Sequence, residues 1–199
     1  MSDRKSIAGK YFGSDNRFNR LFPEPVRLLA ARHWTPLAVA RKAASFLAAD
    51  KGKRILDIGS GAGKFCLAAA YFTPDADFFG IEHRNDLVEY AQEAAKKLEL
   101  KNVSFTHGNF TQLDLRNYDH IYFFNAFYEN IANPDTIDKR VERSDELYHL
   151  YHRHLFRQLE QMPEGTRLAT YYGHDTELPA EYHVVGTAMD SLLKFWIKI

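Results

Sequence analysis

The chain has 199 residues, of which 45% are hydrophobic and 26% charged, with a formal net charge of zero. That length builds one well-buried domain and is short for two, and the composition is that of an ordinary globular protein. No apolar run approaches the roughly 18 residues needed to cross a bilayer, and Met1 to Lys10 lacks the apolar stretch of a secretory signal. The single cysteine, Cys66, leaves no partner for an intramolecular disulfide and no cysteine-built metal site. A reducing, cytoplasmic setting without a membrane partner is expected.

The zero net charge hides an asymmetry. Residues 1–54 hold 12 Lys and Arg against 4 Asp and Glu, whereas residues 55–199 hold 14 against 22. A basic arm can draw a phosphate-bearing or acidic partner, which admits nucleic acid. The cations are scattered, however, and no RNA-binding module is recognisable. Docking on the acidic remainder, or simple solvation, accounts for them as well.

In chain order, the first 24 residues combine Gly, Asn and Arg with Tyr11, Phe12, Phe18 and Phe22, and read as an irregular arm. A helix is expected from about Pro25 to Arg32. Thr35-Pro36 reads as a capping hydroxyl followed by proline at the first helical position. Leu37, Ala40, Ala44 and Leu47 then recur at helical spacing. Strands are expected at Arg54–Ile58, Asp77–Glu82, Asn102–His107, His120–Asn125 and Thr166–Tyr172. Helices are expected from Lys64 to Tyr71, from Asp86 to Leu98 and from Ser144 to Gln161. Strands that alternate with helices and are apolar throughout imply a mostly parallel sheet covered on both faces. Glu181–Thr187 and Leu192–Ile199 read as a closing antiparallel pair, the last of them alternating as an edge strand would.

Ile55-Leu-Asp-Ile-Gly-Ser-Gly-Ala-Gly-Lys-Phe65 is the most informative stretch. A strand ends, glycines allow a tight turn and close ligand approach, and a helix begins, which suits a nucleotide-like ligand. A phosphate-binding G-x-x-x-x-G-K-[ST] loop fails, because Ile58 stands at its first glycine and Phe65 at its hydroxyl. The dinucleotide pattern G-x-G-x-x-G fits at Gly59 and Gly61 but meets Lys64 at its third glycine. Glu82, at the end of the second strand, can accept from ribose hydroxyls in either kind of site. Asn109, after the third strand, offers an amide oxygen to an adenine amino group or simply makes a turn.

The loop Asp57, Gly59, Ser60, Gly61, Gly63 resembles that of class I S-adenosylmethionine-dependent methyltransferases, and from Thr35 onward the order of elements is similar. That resemblance implies an α/β, doubly wound, mostly parallel seven-stranded sheet with an antiparallel terminal strand and helices on both faces. It implies a methyltransferase domain over 35–199, preceded by an arm or lid over 1–34, with the Glu129–Asp145 connection as a second lid. It implies S-adenosylmethionine as cofactor and S-adenosylhomocysteine as product. The glycine loop, Glu82 and His83 would then contact the cofactor, with Asn109 and Phe110 beside the adenine. Trp34 and Thr35 would touch its methionine part.

Asn125-Ala-Phe-Tyr128 is similar to the Asn/Asp-Pro-Pro-Tyr/Phe motif of amino-group methyltransferases, with Ala126 and Phe127 in place of the prolines. It also resembles the Asn-Asn-Phe segment of the non-SET histone lysine methyltransferases. Methyl transfer from a sulfonium is an in-line displacement, so the protein mainly aligns a lone pair with the methyl carbon. An amide oxygen orients an amine, and aromatic faces favour cations. Asn125 and Tyr128 are therefore the candidate catalytic residues, with Ala126 and Phe127 lining the cofactor. Core packing is the plainer reading of the aromatics. His149, His152 and His154 do not share one helical face, and a polar helix surface explains them better than a metal.

The expected function is N-methylation of an amine on a protein, an RNA or a small molecule. A nicotinamide-dependent oxidoreductase and a non-catalytic S-adenosylmethionine-binding protein remain as alternatives.

Overall fold

A computed structural model describes residues 9–124, 126–127, 144–173 and 178–199. Its centre is a seven-stranded sheet in the order β3-β2-β1-β4-β5-β7-β6. The strands are β1 (Arg54–Ile58), β2 (Asp77–Glu82), β3 (Val103–His107), β4 (His120–Phe123), β5 (Arg167–Tyr171), β6 (Tyr182–Ala188) and β7 (Leu193–Lys198). β1 to β5 run parallel, and β7 lies antiparallel to both β5 and β6. The expected seven-stranded α/β sheet with an antiparallel last strand is the one observed.

Side chains alternate across each strand. Ile55, Tyr122 and Ala169 enter one core with Phe78, and Leu56, Ile58, Ile121, Phe123 and Leu168 enter another. Three short helices come first: α1 (Asp15–Asn19), α2 (Glu24–Arg27) and α3 (Ala30–His33). The helix expected over Pro25–Arg32 is thus two short ones. The first core is covered by α4 (Leu37–Leu47), α5 (Lys64–Phe72) and α6 (Asn85–Lys97). Leu37, Ala40, Ala44 and Leu47 lie buried on one side of α4, as their spacing implied. The second core is covered by α7 (Asp145–Glu160) through Leu155 and Leu159. No helix among the described residues is long and apolar enough to cross a membrane.

Phe12, Phe18, Phe22, Val26 and Trp34 are buried in the same cluster as α4 and α5. Phe12 stacks on Tyr71 at 4.2 Å and Phe22 meets Trp34 edge-on at 4.9 Å. The described part of the arm therefore packs as core.

Two expectations are corrected. Thr35 does not cap α4: its hydroxyl pairs with the buried Tyr122 hydroxyl at 2.9 Å. The cap comes from Asp15, whose carboxylate accepts from the Leu37 N–H at 3.0 Å. The final strand is not the edge either. β7 sits between β5 and β6, and β6 carries the exposed Val184 and Val185. Trp196 donates to the Thr170 hydroxyl, and the Lys198 ammonium donates to the carbonyls of Leu159, Glu160 and Met162 at the end of α7. A cation on the open carbonyls of a helix C-terminus is favourable, and this one pins the last strand inside the sheet.

Candidate functional site

The chain leaves β1 toward β2 and β3 on one side, then crosses back to β4 on the other. This reversal opens a crevice beyond the carboxyl ends of β1 and β4, where doubly wound sheets bind ligands. The glycine loop follows β1, and Phe124, Ala126 and Phe127 follow β4.

Gly59, Gly61 and Gly63 all adopt left-handed backbone, with φ of +76°, +54° and +80°. Gly59 is closed: an added Cβ would stand 2.4 Å from the Ala126 Cβ, so the tips of β1 and β4 touch here. Gly61 is open, with nothing within 4 Å of where its Cβ would be. The two positions have opposite uses, one for packing and one for space. The Ser60 hydroxyl is buried without a hydrogen-bond partner among the described residues.

Glu82 braces this loop. One carboxylate oxygen accepts from the Gly61 N–H and the other from the Arg84 N–H, each at 2.9 Å, and the Arg84 guanidinium stands 3.6 Å away. It is buried rather than solvated. The backbone of the neighbouring His83 is tied to the sheet, its carbonyl 3.1 Å from the His107 ring nitrogen. Asp57 is also buried, and burial pushes its carboxyl up to about 8, with the nearby Glu82 charge adding to the rise. The Cys66 thiol lies 3.6 Å from the Asp57 carboxylate, and burial followed by that carboxylate pushes the thiol up. Cys66 is therefore a partner of the loop acid as well as a small buried side chain.

A cleft beside the loop is lined by Trp34, Thr35, Asp57, Gly59, Ser60 and Lys64, with His33, Phe65 and Phe124 completing it. Trp34 and Thr35 thus meet the glycine loop. Lys64 figures in the sequence only as a mismatch, yet it is buried and belongs to this wall. It pairs with Asp15 and donates to the Asn19 amide oxygen at 3.2 Å. Burial pulls its pKa down, and Asp15 opposes that. Asp15 and Asn19 lie far from Lys64 in sequence, and no local pattern in the chain announces the contact.

The third strand's turn is tied down by side-chain hydrogen bonds. The Asn109 amide oxygen accepts from both the N–H and the hydroxyl of Thr111, and its NH2 donates to the Tyr151 hydroxyl at 3.0 Å. Phe110 stacks on Phe127 at 4.8 Å, and both are buried with Tyr151 beside them. His152 packs on Phe127 and His154 on Phe110, so these histidines face aromatic rings rather than forming a polar surface. Asn125 and Tyr128 lie outside the described residues.

The glycine loop, its bracing acid and the cleft at the strand tips agree with several comparisons. A family profile described as a methyltransferase domain matches residues 49–189. A tRNA (guanine-N(7)-)-methyltransferase of Synechococcus sp. (strain JA-3-3Ab) is 48% identical over 54 residues, 27% of this chain and 23% of that protein. A release factor glutamine methyltransferase of Buchnera aphidicola subsp. Baizongia pistaciae (strain Bp) is 32% identical over 104 residues, 52% of this chain and 37% of that protein. The chain thus matches well under half of the length of either relative. Among solved structures, magnesium protoporphyrin IX methyltransferase from Synechocystis PCC 6803, with bound SAM, aligns with a TM-score of 0.60 at 17% identity. That alignment covers 100% of this chain and 99% of that one. An RNA methyltransferase from Salinibacter ruber in complex with S-adenosyl-L-homocysteine aligns with a TM-score of 0.57 at 20% identity, covering 83% and 93%. At such identities the structures establish the fold, while the profile spans most of the chain and with it the glycine loop. This chain belongs to the methyltransferase-domain family, in the class I S-adenosylmethionine-dependent type.

Proposed function

We propose that this chain transfers a methyl group from S-adenosylmethionine to a nitrogen of a protein, RNA or small-molecule acceptor. The observation that carries the reading is the junction of the β1 and β4 tips: Ala126 seats against Gly59, and Phe124 lines the cleft beside it. Asn125 stands between these two in the sequence, which supports a role for its amide in orienting the acceptor nitrogen, with Tyr128 close by in the chain. The two curated relatives are named for methylation of guanine N7 in tRNA and of a release factor glutamine.

The residues present suit the cofactor. Gly61 leaves free space where any side chain would intrude, and the Glu82 carboxylate stands at the tip of β2 with oxygen lone pairs for ribose hydroxyls. Trp34 and Thr35 would border the methionine part, and His83, Asn109, Phe110 and Phe127 the adenosine side. The bound cofactor supplies an electrophilic methyl on a cationic sulfur. The chain's task is to fix the acceptor lone pair in line with it and keep water out. Asp57, held protonated by burial near neutral pH, would ionise more readily beside a cation. Residues 35–199 form the proposed methyltransferase domain, with residues 1–34 as its added wall.

Calorimetric titration with S-adenosylmethionine, S-adenosylhomocysteine and NAD tests the reading. Micromolar binding of the first two without NAD is expected, followed by methyl incorporation into a nitrogen acceptor. Binding of NAD alone would return the chain to nicotinamide chemistry, and cofactor binding with no acceptor among RNA, protein or amines would leave a non-catalytic binder.

A further inference from the structure

We infer that the Lys64 ammonium is the seat of the cofactor's amino-acid carboxylate, and that Asp15 and Asn19 of the arm hold it in place. The inference rests on the reading that the cleft takes S-adenosylmethionine.

An ammonium has three donors. Two are used, on the Asp15 carboxylate and the Asn19 amide oxygen, and the third has no acceptor among the described residues. The Lys64 side chain is only 4% exposed, so water does not easily complete the set. Aromatic faces flank it, with the ammonium 5.5 Å from the Phe18 ring and 5.8 Å from the Trp34 ring. These contacts favour a cation there. A buried ammonium short of one acceptor is a place where an anion gains a charge-assisted hydrogen bond.

The surroundings narrow the anion. Lys64 shares one wall with the buried Asp57 carboxyl, Thr35 and the backbone of Gly59, and His33 also borders the cleft. A positive and an acidic group side by side match a zwitterion, and the methionine end of the cofactor is one. Lys64 is also the residue that replaces the third glycine of the dinucleotide pattern. The side chain that spoils a diphosphate turn would here recognise an amino acid. On this account the arm is part of the cofactor site, because Asp15 both caps α4 at Leu37 and holds Lys64.

The test compares two probes that share the nucleoside but not the carboxylate: S-adenosylhomocysteine and 5′-methylthioadenosine. Wild type is expected to bind the first more tightly. Lys64→Met is expected to weaken S-adenosylhomocysteine about tenfold or more while 5′-methylthioadenosine stays within about twofold. Lys64→Arg is expected to keep most of the preference. A wild type that binds both probes equally would overturn the inference while leaving the methyltransferase reading intact, and this arm needs no variant to fold. Equal losses for both probes in Lys64→Met would show that Lys64 only braces the loop against the arm. Binding of neither probe by wild type would overturn the inference together with the reading it rests on.

Discussion

At the scale of single residues, neighbouring glycines in one loop do different work. Gly59 pairs a left-handed backbone with a contact that leaves no room for a methyl group, whereas Gly61 has the same backbone need and empty space. Gly59→Ala combines a left-handed penalty of about 1–2 kcal/mol with overpacking of about 1–3 kcal/mol. In a domain of this size that lowers Tm by roughly 10 °C. Gly61→Ala bears only the first penalty, so a fall of a few degrees is expected. Its methyl group, however, projects into the open space at the loop, and S-adenosylhomocysteine affinity is expected to fall at least about tenfold. Melting curves and titrations on both variants check this. A Gly61→Ala protein that binds like wild type would show that the cofactor does not use that space. The loop was legible in the sequence because its information is local: strand, glycines and helix follow one another. The place of Lys64 in the cleft wall was not legible for the opposite reason. Its partner Asn19 lies 45 residues away, and no spacing rule connects them.

At the scale of elements, the strands were legible because buried parallel strands are short apolar runs bounded by turns. The order of the last two was not. Alternation in Leu192–Ile199 fits an edge or an interior strand equally, and the choice is made by Trp196 and Lys198 reaching distant partners. The helix cap at α4 failed similarly, since Asp15 competes with Thr35 from 22 residues before Leu37. Pairing between β4 and β5 carries a titratable group at the sheet end opposite the cleft. The Arg167 N–H donates to His120 Nδ1 at 3.0 Å, which requires an unprotonated Nδ1. Burial first, then the Arg167 and Lys53 charges, pulls the His120 pKa down from 6.5 to about 4. The unfolded chain therefore binds the proton more readily than the folded one. Stability from neutral His120 is fully present above about pH 6.5 and is lost as pH falls toward about 4, by up to about 3 kcal/mol. Urea unfolding across that window should show a shallower fall for His120→Gln than for wild type. Parallel curves would remove His120 from the acid limb.

At the scale of the whole molecule, the question is whether residues 1–34 are an appendage or part of the fold. Their basic, glycine- and asparagine-bearing composition suggested an arm or lid, and composition cannot register where five apolar side chains end up. Phe12, Phe18, Phe22, Val26 and Trp34 are each no more than 8% exposed, in one cluster with α4 and α5. Burying an apolar side chain of this kind contributes about 1.5–3 kcal/mol. Five of them contribute about 7–15 kcal/mol, comparable to the roughly 5–15 kcal/mol stability of a typical domain. The arm also supplies the cap of α4 and the counter-charge of Lys64, so its removal exposes apolar surface and strands a buried ammonium together. Deleting residues 1–34 is therefore expected to abolish cooperative melting in calorimetry. Phe18→Ala, a single fully buried ring, is expected to cost about 3–5 kcal/mol and to lower the one melting transition of the full chain by roughly 10 °C. A separable lid behaves otherwise: the truncated chain would melt cooperatively near the full-length Tm, and Phe18→Ala would leave the main transition in place. The Phe18 variant decides the matter even if the truncated chain aggregates, because it keeps every other contact of the arm and asks only whether that ring is held in the same cooperative core as the sheet.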